Sequence, residues 1–105
     1  MKSLSLRAAG VALAALSFAA VAGDETGKAL FTKDTTPPCG LCHALKAAET
    51  EGTIGPSLDE MKPDAERVAR VIRSGIGAMP PYPQLSAEQV KTLAEYVARS
   101  TGGAR

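Results

Sequence analysis

A chain of 105 residues, 45% hydrophobic and 22% charged, suits one compact domain and is too short for two. Its formal charge of +1, with no long run of like charges, excludes the basic surface of a nucleic-acid binder. Two Phe, two Tyr and no Trp leave little aromatic material for a core, and domains this small usually lean on a disulfide, a metal or a cofactor.

Lys2 and Arg7 precede an almost uncharged run from Ala8 to Ala22, which closes on Ala20-Val21-Ala22, a small-x-small cleavage signature, before Gly23-Asp24-Glu25 turns polar. The expectation is a secretory signal peptide over residues 1–22, cleaved after Ala22, and a mature periplasmic domain over residues 23–105. A retained membrane anchor is the other reading, but the run is Ala-rich and shorter than the roughly 20 apolar residues a spanning helix wants. Cleavage removes Lys2 and Arg7 from twelve basic residues and leaves ten against eleven acidic ones, a formal charge of −1.

In chain order, Gly23 to Phe31 predicts a short first helix opening near Asp24, with acidic residues in the turn where the helix dipole favours them. Gly27 and Phe31, four apart, share one face of it. Thr35-Thr36-Pro37-Pro38 is a stiff loop leading into Cys39-Gly40-Leu41-Cys42-His43, and Ala44 to Ala48 continue a helical turn or two. Gly52, Gly55 and Pro56 break the chain into loop. A second helix has Pro63 in its first turn, Val68, Val71 and Ile72 as its buried stripe, and Gly75 as its stop.

Gly75 to Pro83 holds too many prolines for a helix or a paired strand and reads as a defined loop. The last helix opens on a Ser86-x-x-Gln89 capping box and carries Val90, Leu93, Ala94 and Val97 at i, i+3, i+4 and i+7, before Gly102-Gly103 ends it. With no period-two alternation and no internal repeat, the domain is expected to be all-α.

Cys39-x-x-Cys42-His43 is the pattern of covalent c-type haem attachment: two cysteines three apart add across the two vinyl groups of one haem, and the next residue offers an imidazole to the iron. Three other readings carry less support. A thiol redox pair is expected beside a βαβ pattern, which the chain lacks. Zinc wants four ligands, and His43 is the sole histidine. A plain disulfide leaves His43 unexplained.

With no second histidine, methionine is the natural second axial ligand, since a His/Met pair raises the potential. Met1 leaves with the signal peptide, Met61 sits just before a helix, and Met79 lies in the loop stiffened by Pro80 and Pro81, so Met79 is the candidate and Met61 a gap-filler. A ligating histidine usually gives its other ring N–H to a carbonyl, and Pro56, a short loop away, offers one with no N–H of its own; a Gly-Pro pair can also be a simple turn.

On these residues the chain resembles the class I cytochromes c over nearly all of residues 23–105. Gly27 and Phe31 match the family's first helix, Cys39, Cys42 and His43 its haem motif, Gly55, Pro56 and Leu58 its histidine-supporting loop, Met79 its distal ligand, and Leu93 and Tyr96 its crossing C-terminal helix. The resemblance implies three to four short helices wrapped around one covalently attached haem c. It departs from the family in having no Trp for a haem propionate, which leaves Tyr82 or a backbone amide to that task, and no lysine-rich face. The stretch from Cys42 through Gly55-Pro56-Ser57-Leu58-Asp59 to Gly77-Ala78-Met79-Pro80 also resembles the small cytochrome partners of bacterial sulfite dehydrogenases.

The function implied is that of a monomeric electron carrier, not an enzyme, moving single electrons from a dehydrogenase, with sulfite dehydrogenase the first candidate, to a cytochrome or terminal oxidase. It would meet membranes only transiently, through those partners. Leu30, Phe31, Leu45, Leu58, Val68, Ile72, Leu85, Leu93 and Val97 are expected to keep the cofactor dry, with Pro37, Pro38, Ala78, Pro80 and Pro81 around an exposed edge. The competing reading is a haem-based peroxidase or gas sensor in which Met79 dissociates; it lacks an acid, base or anchor near Met79.

Overall fold

The computed structural model describes residues 11–103; residues 1–10, with Lys2 and Arg7 of the expected leader, lie outside the described residues. The element order is α1 (Val11–Thr32), α2 (Cys39–Cys42), β1 (Ala44–Leu45), a single 3-10 turn (Lys46–Ala48), β2 (Thr50–Glu51), α3 (Leu58–Met61), α4 (Ala65–Ser74) and α5 (Ala87–Thr101). Five helical segments are therefore present among the described residues, against the three to four expected, and the class is mostly helical as read.

The helix α1 does not open near Asp24. It is already helical at Val11, the first described residue, and runs unbroken through Ala22 and Gly23, because the Ala- and Leu-rich stretch is itself a good helix former and a single glycine costs too little to stop it. No helix among the described residues is long and apolar enough to cross a membrane.

Ala44 to Ala48 does not continue α2 as an α-helix. Thr50 intervenes: its hydroxyl donates to the His43 carbonyl at 2.9 Å and accepts the Leu45 N–H at 3.1 Å. The result is a minimal antiparallel hairpin, Ala44 opposite Glu51 and Leu45 opposite Thr50, turned through Glu49 in the left-handed region at φ 59°. Alanine's helix propensity, a few tenths of a kcal/mol per residue, yields to these tertiary bonds.

The helix α3 lies where the sequence reading had only loop. Ser57 caps it by accepting the Glu60 N–H, and Lys62 ends it at φ 48°. Pro63 is not in the first turn of α4 but one residue before its cap, Asp64, whose carboxylate accepts the Arg67 N–H at 2.7 Å. The capping box of α5 is complete, with Gln89 N–H donating to Ser86 Oγ at 3.1 Å and Ser86 N–H to Gln89 Oε1 at 2.9 Å, and Gly102 closes the helix at φ 83°.

The core forms where α5 packs against both α1 and α4. Leu30 and Phe31 of α1, Leu45, Ile72 of α4, Tyr82, and Val90, Leu93, Tyr96 and Val97 of α5 make one buried cluster, and each fully buried side chain of this size contributes about 1.5–3 kcal/mol. Helices α1 and α5 pack tightly at Gly27, against Tyr96, whose ring tilts 59° to that of Phe31 with centroids 6.4 Å apart. At this crossing a Cβ on residue 27 would run into Tyr96 Cβ and Cγ, so the two helices meet only because residue 27 has no side chain.

Gly27→Ala should accordingly destabilise the folded protein by about 1–3 kcal/mol despite alanine's better helix propensity, because the helices must part. Lys28→Ala, one residue on, loses only a 3.6 Å ion pair to the well-exposed Glu49 and should change stability by less than about 0.5 kcal/mol. Thermal melts of the two variants compare these outcomes; equal, small losses would contradict the packing account.

Candidate functional site

Pro37 and Pro38 lead into α2, a single turn on which Cys39 and Cys42 lie side by side as free thiols, both half-buried. The turn is closed by Leu41 N–H donating to Pro38 O at 3.1 Å and His43 N–H to Cys39 O at 3.0 Å. Burial pushes the Cys39 thiol up, and contact with the Thr35 hydroxyl, 3.7 Å from Sγ, pulls more weakly the other way. A thiol–disulfide centre needs the opposite, a thiol held below its usual range. Among the described residues no group of three or more His, Cys, Asp or Glu could hold a metal, so a zinc site has no ligands to complete it.

After α2 the backbone extends at His43, and the loop from Gly52 to Pro56 folds back along it. Gly55 N–H donates to Cys42 O at 2.7 Å, which brings residue 55 so close that a Cβ there would stand 2.5 Å from His43 Cε1. With the ring pressed flat against this glycine, His43 Nδ1 donates to the Pro56 carbonyl at 2.8 Å. A carbonyl can only accept, so Nδ1 carries the hydrogen and Nε2 is left with its lone pair for a metal.

Met79 lies in a closed turn: Ile76 N–H donates to Met79 O at 3.0 Å and Met79 N–H to Ile76 O at 2.9 Å, through Gly77 at φ 55°. The loop that seemed too proline-rich to pair thus forms one two-residue bridge. Met79 is half-buried and, like Cys39, Leu58, Val68, Ala69 and Leu85, packs against the buried core cluster. Met61 closes α3 and is not part of that group.

Of the nine residues expected to keep a cofactor dry, Leu30, Phe31, Leu45, Ile72, Leu93 and Val97 are fully buried, whereas Leu58, Val68 and Leu85 retain exposed surface with Cys39 and Met79. Pro37 and Pro38 are half-buried, and Ala78, Pro80 and Pro81 exposed. Three further apolar side chains stand in solvent, Leu41 at 59%, Ile54 at 75% and Ile76 at 66% exposure, each within three residues of a predicted site position. Sequence reasoning did not single them out; an isoleucine next to a glycine in a loop gives no periodic signal.

Tyr82 is not available for a propionate. Only 5% exposed, it spends its hydroxyl proton on the Pro37 carbonyl at 2.7 Å, and burial, followed by the Cys39 and Cys42 thiols, pushes its phenol up to about 12. Thr50, which ties the hairpin to His43, and Thr35, whose hydroxyl donates to Leu30 O at 2.9 Å beneath Cys39, were also missed. Neither lies in a motif.

Two free thiols on one turn, an imidazole with Nε2 presented, a loop-borne thioether and incompletely buried apolar side chains packed on the same core make a donor set that fits one covalently bound haem. A family model described as cytochrome C oxidase, cbb3-type, subunit III, matches residues 22–97. Among solved structures, the c-type cytochrome SorU from Sinorhizobium meliloti is similar at a TM-score of 0.74 and 42% identity, over 79% of this chain and 95% of that one. No curated protein matches the chain.

Proposed function

From the chain's membership of the c-type cytochrome family, in which it is a class I monohaem protein carrying covalent haem c, we propose an exported, monomeric carrier that takes single electrons from a dehydrogenase and passes them to a cytochrome or terminal oxidase. Cys39 and Cys42 would hold the haem through thioethers, and His43 and Met79 are the residues that would ligate its iron. The bound haem supplies an iron that gains and loses one electron. The residues of the chain keep its surroundings unchanged while it does so.

The observation that carries this reading is His43, locked by Gly55 and Pro56 with Nε2 free. A ring held in one orientation and one tautomer would reorganise little between oxidation states, and a soft thioether as second ligand would favour the reduced form. Against peroxide chemistry, Gly75 to Pro83 carries no acid or base except Tyr82, whose proton is engaged.

Export is supported by the small-x-small site at Ala20-Val21-Ala22 and by a family match that starts at residue 22. Cleavage there leaves Gly27 and Phe31, the residues of α1 that meet α5, inside the mature helix. Sulfite dehydrogenase is proposed as the donor on the motif resemblance from Cys42 to Pro80. Docking uses the apolar rim of Pro37, Pro38, Ala78, Pro80 and Pro81, extended by Leu41 and Ile76. Stiff, apolar rims lose little chain entropy on contact and suit brief encounters.

Intact mass of protein exported by a host able to attach haem should equal residues 23–105 plus one haem; a bare polypeptide with a disulfide would refute attachment, and retained residues 1–22 would refute cleavage. Met79→Ala should abolish the Met-to-iron charge-transfer band of the ferric protein and lower its potential, with Met61→Ala unchanged in both; the reverse pattern would exchange their roles. In stopped-flow mixing with reduced sulfite dehydrogenase, reduction should be fast and only mildly salt-dependent, as a formal charge of −1 implies. Failure with that enzyme removes only that donor, whereas rapid turnover of peroxide without electron delivery to any acceptor would overturn the carrier reading.

A further inference from the structure

Residue 82 engages the rest of the chain through every polar atom it has. Its N–H donates to the carbonyl of Ile72, on the buried side of α4, at 2.8 Å. Its own carbonyl accepts the Leu85 N–H at 3.2 Å. Its hydroxyl crosses 45 positions of sequence to Pro37 O at 2.7 Å. The ring between these bonds is part of the core.

These bonds divide the work. Gly75 N–H to Val71 O at 2.7 Å, the Ile76–Met79 bridge and the Tyr82–Ile72 bond all fasten the methionine loop to itself or to its own helix, α4. None of them relates that loop to the segment that carries the cysteines. That relation rests on the Tyr82 hydroxyl, three residues after Met79, bonding the carbonyl two residues before Cys39. The other strap, Gln84 Nε2 to Thr36 O, is exposed and stretched to 3.4 Å. The short, half-buried phenol–carbonyl bond is the stronger of the two.

We propose that Tyr82 is a positioning residue for the distal ligand: its hydroxyl clasps the Met79 loop to the cysteine arm and so sets how often the Met79 thioether is away from its ligating place. The proposal rests on the reading of Met79 as the axial ligand. The covalently attached haem moves with Cys39 and Cys42, and Met79 moves with α4 and its loop. Holding two such bodies at a fixed separation is what keeps a thioether bond, weak on its own, closed. Cutting the clasp leaves the loop's internal bonds intact and lets the loop as a whole stand off more often.

The test uses the ferric holoprotein and imidazole, a small ligand that binds the iron only when Met79 has left it, so its apparent affinity measures the open fraction. Tyr82→Phe keeps the buried ring and removes the clasp; it should tighten apparent imidazole binding about fivefold, the equilibrium worth of one net hydrogen bond. Gly27→Ala, which weakens the distant α1–α5 crossing, should leave imidazole binding unchanged although it lowers the melting temperature. In a Met79→Ala background the Tyr82→Phe effect should vanish, because no thioether remains to be displaced.

Unchanged imidazole affinity in Tyr82→Phe overturns the proposal. So does an effect that persists without Met79, or one that Gly27→Ala reproduces, since either would mean that Tyr82 acts through general stability. If Met79→Ala itself keeps the charge-transfer band, the ligand assignment is what fails, and this inference falls with it for a reason the spectrum makes plain.

Discussion

The Nδ1–H of His43 has one place to go, the Pro56 carbonyl, and much of the local architecture follows from keeping that bond. The ring must lie flat on residue 55, which is therefore a glycine, and the loop carrying Gly55 must follow the backbone of Cys42, which it does through a 2.7 Å bond to the Cys42 carbonyl. From the other flank, the Thr50 hydroxyl holds the His43 carbonyl and the Leu45 N–H together, so the chain leaves α2 in an extended direction and not as further helix. The hairpin is anchored in turn by Asp59, whose carboxylate accepts the Lys46 N–H at 2.9 Å. An imidazole held by chemistry on three sides presents Nε2 on the fourth. Mobility there would be felt directly at the iron, since metal-bound histidines owe their basicity and orientation to this outer bond.

So small a domain cannot afford a large core, and the described residues show where its few aromatic groups are placed. Phe31 and Tyr96 seal the α1–α5 crossing, and Tyr82 seals the far end beside α4. Packed against this core, Leu58, Val68, Leu85, Cys39 and Met79 stay only partly buried. Apolar side chains left half-covered around a thiol and a thioether are what a flat apolar cofactor would cover, and its burial would add to a core that the protein atoms leave incomplete. Cofactor attachment and folding stability are thereby linked.

The legible part of the fold was the part written in local signals. The capping box of α5, its buried stripe and the glycine stops are short-range patterns with one physical meaning each, and the structure has them all. Cys39, Cys42 and His43 were legible because their spacing is itself chemistry. What the sequence concealed was decided by side-chain contacts outside any periodic pattern: Thr50 drawing Ala44 and Leu45 into a hairpin instead of an α-helix, and Tyr82 reaching Pro37, 45 positions away, in place of a propionate. The short helix α3 was hidden differently, since Ser57-x-x-Glu60 is a readable cap but four residues carry no periodicity. The start of α1 was misplaced because a leader and a helix draw on the same alanine and leucine.

Net charge also conceals an arrangement. From Glu49 to Glu66 the chain carries six acidic residues and only Lys62 in opposition, whereas from Arg67 to Ala87 it carries Arg67, Arg70 and Arg73 and no acid. The three arginines, spaced three apart on α4 and exposed, form no ion pair among the described residues. The row ends at the residues that lead into the Met79 turn, while the acidic stretch flanks the loop behind His43. A formal charge near zero keeps the long-range field weak, so approach to a partner is not strongly steered. A field that changes sign from α4 to the histidine loop would still exert a torque at short range on a partner docked as proposed, favouring one orientation of the apolar rim over its reverse. For the docking proposed above, apolar contact would supply the binding and charge separation the orientation.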